Sequence, residues 1–132
     1  MKRGCGCLIF AVLLANAGLA VLVGEKLKAA SELAVVHFHE RFNDGKLDAI
    51  WDDAHPDFRA AFSTKGNYSN YMESAQKKFG KVKSSRQVKF TWFGKKEIIL
   101  RTTFERGSAI ETFTFEWKPF DVSLGGYSLT AE

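Results

Sequence analysis

The chain has 132 residues, of which 45% are hydrophobic and twelve are Phe, and this composition predicts one packed domain rather than a disordered chain. The formal net charge is +4, but Lys2 and Arg3 supply two of these charges and leave 17 basic against 15 acidic residues. So small an excess excludes the strongly basic footprint of a nucleic-acid-binding protein, and no nucleic-acid partner is expected.

An uncharged apolar run occupies residues 7–24, directly after Lys2 and Arg3 at the N-terminus. The run carries one clearly polar side chain, Asn16, and as a helix it would rise roughly 27 Å, close to the hydrocarbon thickness of a bilayer. The basic residues in front of it predict a cytoplasmic N-terminus. We therefore divide the chain into a membrane-directing segment, residues 1–24, and an extracytoplasmic domain, residues 25–132.

Two interpretations of this run remain open. An uncleaved signal anchor would cross the cell membrane once and hold the domain in the periplasm or at the cell exterior. A signal peptide cleaved at a small-residue site, either 15–17 or 18–20, would instead release a secreted domain. Because apolar residues continue over 21–23, beyond both sites, the run is longer than a signal peptide needs, and this favours the anchor.

Helical spacing governs the first half of the predicted domain. Apolar residues recur every three or four positions from residue 25 to 42 and predict a helix that Asn43, Asp44 and Gly45 end. The same spacing predicts a short helix over 47–54, one or two further turns over 58–62, and a longer helix over 68–79 that stops at Gly80.

After Gly80 the apolar residues recur at every second position, which is the spacing of a β-strand. Alternation predicts strands over 88–92, 98–104, 112–117 and 122–129, and the short connections between them imply an antiparallel meander. One face of this sheet is strongly aromatic, so the amphipathic helices must cover it. The predicted fold class is therefore α+β: an N-terminal transmembrane or signal helix, then helices packed on a curved, cone-like, four-stranded antiparallel sheet.

This layout resembles the superfamily of nuclear-transport-factor-2-like and cystatin-like folds, and within it the bacterial domain-of-unknown-function family 4019. The segments that carry the resemblance are residues 42–51 (FNDGKLDAIW), 78–82 (KFGKV) with 84–86 (SSR), 110–114 (IETFT) and 126–129 (GYSL). The resemblance spans roughly residues 30 to 130. It implies a fold and an extracytoplasmic location, and it implies no reaction because the family has no agreed activity.

The densest cluster of titratable residues is Asp52, Asp53, His55 and Asp57. Carboxylates beside a histidine can transfer protons when they share a dry pocket. The helical phase of the neighbouring apolar residues, however, turns Asp52 and Asp53 towards solvent. On the aromatic sheet face the nearest titratable candidates are Glu111 and Tyr127. No catalytic residue is therefore predicted.

The sequence predicts no metal or cofactor site. His37 and His39 lie two positions apart on a predicted helix, so their side chains point roughly 160° apart and cannot bind one metal. Cys5 precedes the apolar run and Cys7 is its first residue, so the predicted domain over 25–132 holds no thiolate ligand. No Gly-rich phosphate loop precedes a helix.

Function is expected to be non-enzymatic: a membrane-anchored accessory domain that contacts the membrane through residues 7–24 and binds another protein or envelope component. One alternative is a binding domain for a small apolar ligand in a cleft between helices and sheet. The other is an acid–base enzyme that uses residues 52–57. The candidate lining of the cleft comprises five aromatic residues, Trp51, Phe113, Phe115, Trp117 and Tyr127.

Overall fold

The computed structural model describes residues 5–118 and 121–132, with side chains from Val23 onward. Four helices precede a four-stranded antiparallel sheet, which confirms the predicted α+β class. The elements are α1 (Cys5–Asn43), α2 (Leu47–Asp53), α3 (Pro56–Phe62), α4 (Lys65–Phe79), β1 (Val82–Thr91), β2 (Glu97–Phe104), β3 (Gly107–Lys118) and β4 (Asp121–Ala131).

The predicted anchor or signal segment falls mostly outside the described side chains, which begin only at residue 23. Within the part of the chain open to this test, no helix is long and apolar enough to cross a membrane. The membrane role of residues 7–24 therefore stays a prediction.

Polar side chains and glycines define where the helices end. The Asn43 side chain closes α1 onto the sheet, because its amide nitrogen donates to the Val82 carbonyl (3.2 Å) and its oxygen accepts from the Val82 N–H (2.8 Å). Thr64 caps the start of α4 by accepting from the Asn67 N–H. Gly80 ends α4 at a positive φ of 76°, a conformation that favours glycine.

The sheet has the order β1-β2-β3-β4, which is the predicted meander, with β1 and β4 at its edges. The alternation over 88–92 predicts that Val88, Phe90 and Trp92 share the covered face of β1. This prediction is wrong for Val88 and Trp92, since both are exposed. A bulge between Gln87 and Lys89 breaks the alternation around Val88. Such a bulge leaves one residue unpaired and re-aims the strand that carries it.

The core lies between the helices and one face of the sheet. The ring of Phe38 from α1 packs edge-on against Phe113 of β3, with centroids 5.0 Å apart. Tyr68 of α4 is fully buried and donates its hydroxyl to the Leu47 carbonyl at 2.8 Å. Trp51 shares the apolar stripe of α2 with Leu47 and Ile50, a pattern that predicts a buried indole. It is half-buried, with its ring 5.1 Å from that of Tyr68 in the helical layer.

Candidate functional site

An apolar groove of about 870 Å³ runs between α1 and the adjoining ends of β3 and β4. One wall is formed by residues of α1 that recur at alternate steps of four and three positions: Val23, Leu27, Ala30, Ala34 and His37. We call these five positions the α1 seam. Alternate steps of this kind are the spacing with which one helix faces another in a coiled coil.

The opposite wall of the groove is formed by Trp117 and Val122, from facing positions of β3 and β4. Lys26, Lys118 and Asp121 supply further polar groups. The lining is accordingly mainly apolar with a few charged positions, a composition typical of a binding surface.

Most side chains of α1 that border the groove are accessible, although Leu27 and Ala34 are half-buried. Leu33, beside the α1 seam, keeps 53% of its surface exposed. The sheet-facing side of the same helix is different, because Ser31, Val35, Phe38 and Phe42 are buried there. The helix thus has two adjacent faces, one packed on the sheet and one bordering the groove.

A second polar arrangement, the Glu111 cluster, lies inside the fold and comprises Glu111, His39, Thr102 and Tyr127. The Glu111 side chain is 1% exposed. Its Oε1 atom lies 2.8 Å from Nε2 of His39 and accepts from the Thr102 hydroxyl, while its Oε2 accepts from the Tyr127 hydroxyl at 2.7 Å. The carboxylate therefore gathers partners from α1, β2 and β4 around β3.

The environment of Tyr127 favours the neutral phenol. Burial, reinforced by the adjacent Glu111 carboxylate and their hydrogen bond, raises the pKa of Tyr127 well above its usual value of 10.0. Carboxylate, imidazole and phenol together could in principle transfer protons. No member of the Glu111 cluster lines the groove, however, and its polar atoms satisfy one another, so the arrangement fastens α1 to the sheet.

The five predicted lining residues are not gathered around one cavity. Trp117 lines the groove, whereas Phe113 and Phe115 are buried in the core. Tyr127 belongs to the Glu111 cluster, and Trp51 packs on the helical layer against Tyr68.

The acidic residues after Trp51 face outward. Asp52 and Asp53 are exposed, in agreement with the predicted helical phase, and Asp53 forms an ion pair with Arg41 at 2.6 Å. The Nδ1 atom of His55 caps α3 by accepting from the Asp57 N–H at 3.2 Å. These groups serve helix ends and surface ion pairs.

The two histidines of α1 do not lie together. His37 lies on the exposed side of α1, whereas His39 turns towards Glu111. Among the described side chains, no group of three His, Cys, Asp or Glu residues could hold a metal ion.

Comparison of the chain with family models, with curated proteins and with solved structures yields no match. The resemblance to family 4019 therefore remains a prediction from the sequence, and the groove and the Glu111 cluster must be interpreted from their own chemistry.

Proposed function

We propose that this protein is a non-enzymatic, membrane-anchored, extracytoplasmic binding domain whose groove receives a helix of another envelope protein. The observation that carries the proposal is the α1 seam: five positions at alternate steps of four and three, of which Val23, Ala30 and His37 are exposed and Leu27 and Ala34 are half-buried. A helix with such a stripe gains stability when a second helix packs against it.

The dimensions of the groove favour a helix over a compact ligand. From Val23 to His37 the seam extends roughly 21 Å along α1, a length that one helix of a partner would cover completely. Ala30 and Ala34 are small, so a partner backbone can approach the middle of the seam closely, as at interfaces between membrane helices.

The location of the groove favours a partner at the membrane. Val23, the first lining residue, falls within the apolar run of residues 7–24. If that run crosses the bilayer, the groove begins at the membrane surface. A partner anchored in the same bilayer would then be present at a high effective concentration, and a modest contact area would suffice.

A small apolar ligand is the second candidate. The volume of about 870 Å³ lies within the range of ligand pockets, and Trp117 supplies an aromatic surface. An elongated, open groove would cover such a ligand on fewer sides than a closed pocket does. A small ligand is therefore a less favoured partner than a helix.

Site-specific photocrosslinking in intact native membranes tests the proposal with a matched pair of positions. Leu33 and Val36 are similarly exposed on α1, at 53% and 49%, but only Leu33 lines the groove. A photoreactive residue at 33 should give an adduct whose partner peptide is helical and is labelled at three- and four-residue spacing. The same probe at 36 should not give it.

The adduct should also be lost when the groove is altered. Ala34→Glu places a carboxylate on the α1 seam and should abolish crosslinking from position 33. Equal labelling from positions 33 and 36 would contradict the proposal. A lipid or another small apolar molecule attached at position 33 would instead support the second candidate.

A further inference from the structure

The turn between β1 and β2 carries two large aromatic side chains on the surface. Phe93 is 75% exposed and Trp92 is 38% exposed, and their ring centroids lie 4.1 Å apart. We call this pair the aromatic tip. Neither residue belongs to the hydrophobic core or to the groove. Adjacent exposed aromatics are costly in water and mark a surface that meets another apolar phase.

The aromatic tip lies where the apolar N-terminal run ends. The indole of Trp92 packs against the backbone of Gly24, since a Cβ atom placed at Gly24 would lie 3.6 Å from Cζ3 of the ring. Gly24 is the last residue of the run 7–24. If this run is embedded in a bilayer, the aromatic tip must lie close to the bilayer surface.

The same end of the domain is rich in lysine. Lys28 places its ammonium 5.5 Å from the centre of the Phe90 ring, and Lys96 lies 5.8 Å from that of Trp117. The lysines at this end are Lys26, Lys28, Lys95, Lys96 and Lys118.

Acidic residues lie among these lysines. Glu97 pairs with Lys95 at 2.8 Å, and Glu32 approaches Lys28 at 3.7 Å. Glu25, Glu116 and Asp121 are the other carboxylates nearby in the chain. This end therefore carries five lysines and five carboxylates, and the two exposed aromatic rings rather than a net charge distinguish it.

We propose that the aromatic tip inserts into the headgroup region of the bilayer that holds residues 7–24, with the surrounding lysines on anionic lipid phosphates. Trp is enriched at the membrane–water interface, where one side of its ring is apolar and its N–H is wet. Lysine stems cover apolar surface while their ammonium groups stay at the phosphates. The inference rests on the membrane-anchoring part of the proposed function.

The consequence is attachment at two points. A single membrane helix leaves the attached domain free to rotate about the helix axis. A second contact through Trp92 and Phe93 removes that rotation, so the groove along α1 keeps one orientation with respect to the membrane plane.

Tryptophan quenching by lipid distinguishes the aromatic tip from the rest of the domain. The chain has three Trp residues, so Trp51→Phe with Trp117→Phe leaves Trp92 as the only indole. The full chain would be reconstituted into vesicles of phosphatidylcholine and phosphatidylglycerol that carry brominated acyl chains. Trp92 fluorescence should be quenched by the brominated lipid and shifted to shorter wavelength.

The matched control combines Trp92→Phe with Trp117→Phe and leaves Trp51, which packs on Tyr68 in the helical layer. Its emission should not respond to brominated lipid. In the variant that keeps Trp92, Phe93→Asp should abolish quenching. Should a double Trp variant fail to fold, Phe93→Asp in the parent still tests the contact through loss of lipid-dependent quenching.

The outcomes separate the insertion of the aromatic tip from the anchoring. Retention of the chain in vesicles after an alkaline wash, with Trp92 unquenched, would overturn the insertion and leave the anchor intact. Release of the chain by the wash would overturn the anchor and the insertion that rests on it. Quenching that survives Phe93→Asp would also overturn insertion through the tip.

Discussion

Removal of the Glu111 carboxylate should destabilise the protein strongly, since it withdraws the shared acceptor of three polar groups. In Glu111→Ala the Thr102 hydroxyl, which is fully buried, and the Tyr127 hydroxyl lose their partner. His39 is 13% exposed and can turn towards water. A buried donor left without a partner costs about 1–3 kcal/mol, so two of them imply a loss of about 4 kcal/mol.

The loss is measured as the change in the free energy of unfolding, from urea titration followed by far-UV circular dichroism. Glu111→Gln keeps the shape but turns an NH₂ group towards one of the donors, and should cost about 2 kcal/mol. The control Glu73→Ala changes an exposed carboxylate on α4 and should stay within about 0.5 kcal/mol of the parent. If Glu111→Ala unfolds at the same urea concentration as the parent, the Glu111 cluster does not hold the fold together.

Three further perturbations address other parts of the fold. Trp51→Ala should cost about 2 kcal/mol in urea unfolding, below the value for a fully buried indole, because the ring packs on Tyr68 but stays partly exposed to solvent. Gly80→Ala should destabilise more than Gly45→Ala in a thermal melt: both have positive φ, but only at Gly80 would a Cβ lie 3.0 Å from a neighbouring side chain; equal melting temperatures would contradict this. Stability should fall above about pH 10, where unfolded tyrosine releases its proton while the raised pKa keeps Tyr127 protonated in the fold. Tyr127→Phe should make that decline shallower by about 1.4 kcal/mol per pH unit.

The order of elements could be predicted from the sequence because periodicity reports which side chains face a core. The change from helical spacing to alternation at Gly80 marks the boundary between α4 and β1. The alternation of buried and exposed side chains breaks at Val88, where β1 has a bulge. A bulge arises from the pairing of two strands, so the sequence of one strand alone does not reveal it.

The two faces of α1 could not be separated by hydropathy alone. A single stripe was predicted, but the structure divides it between the sheet and the groove. Ser31 lies on the buried face and donates to the Leu27 carbonyl at 2.8 Å, while His37 lies on the exposed α1 seam. A polar residue on a buried face and a row of apolar residues beside a groove both make the boundary between the two faces hard to recognise from hydropathy.

The Glu111 cluster shows a similar limit. The alternation of β3 places Glu111 on the same side as Phe113 and Phe115, and this parity is the sequence signal for an inward-facing carboxylate. Its partner His39 is 72 positions away, and no local pattern pairs a helix residue with a strand residue at that distance.

Two contacts fasten α1 to the sheet and would fix the orientation of the domain relative to a membrane anchor. His39 binds Glu111 towards the C-terminal end of the helix, and nearer its other end the Trp117 indole N–H lies 3.3 Å from the Ser31 hydroxyl. His39 and Gly24 are about 22 Å apart along the helix axis. Because both contacts join α1 to the sheet, the direction of the helix at Gly24 is fixed relative to the β1–β2 turn. An anchor formed by the N-terminal part of α1 would therefore bring the aromatic tip to the bilayer in a defined orientation.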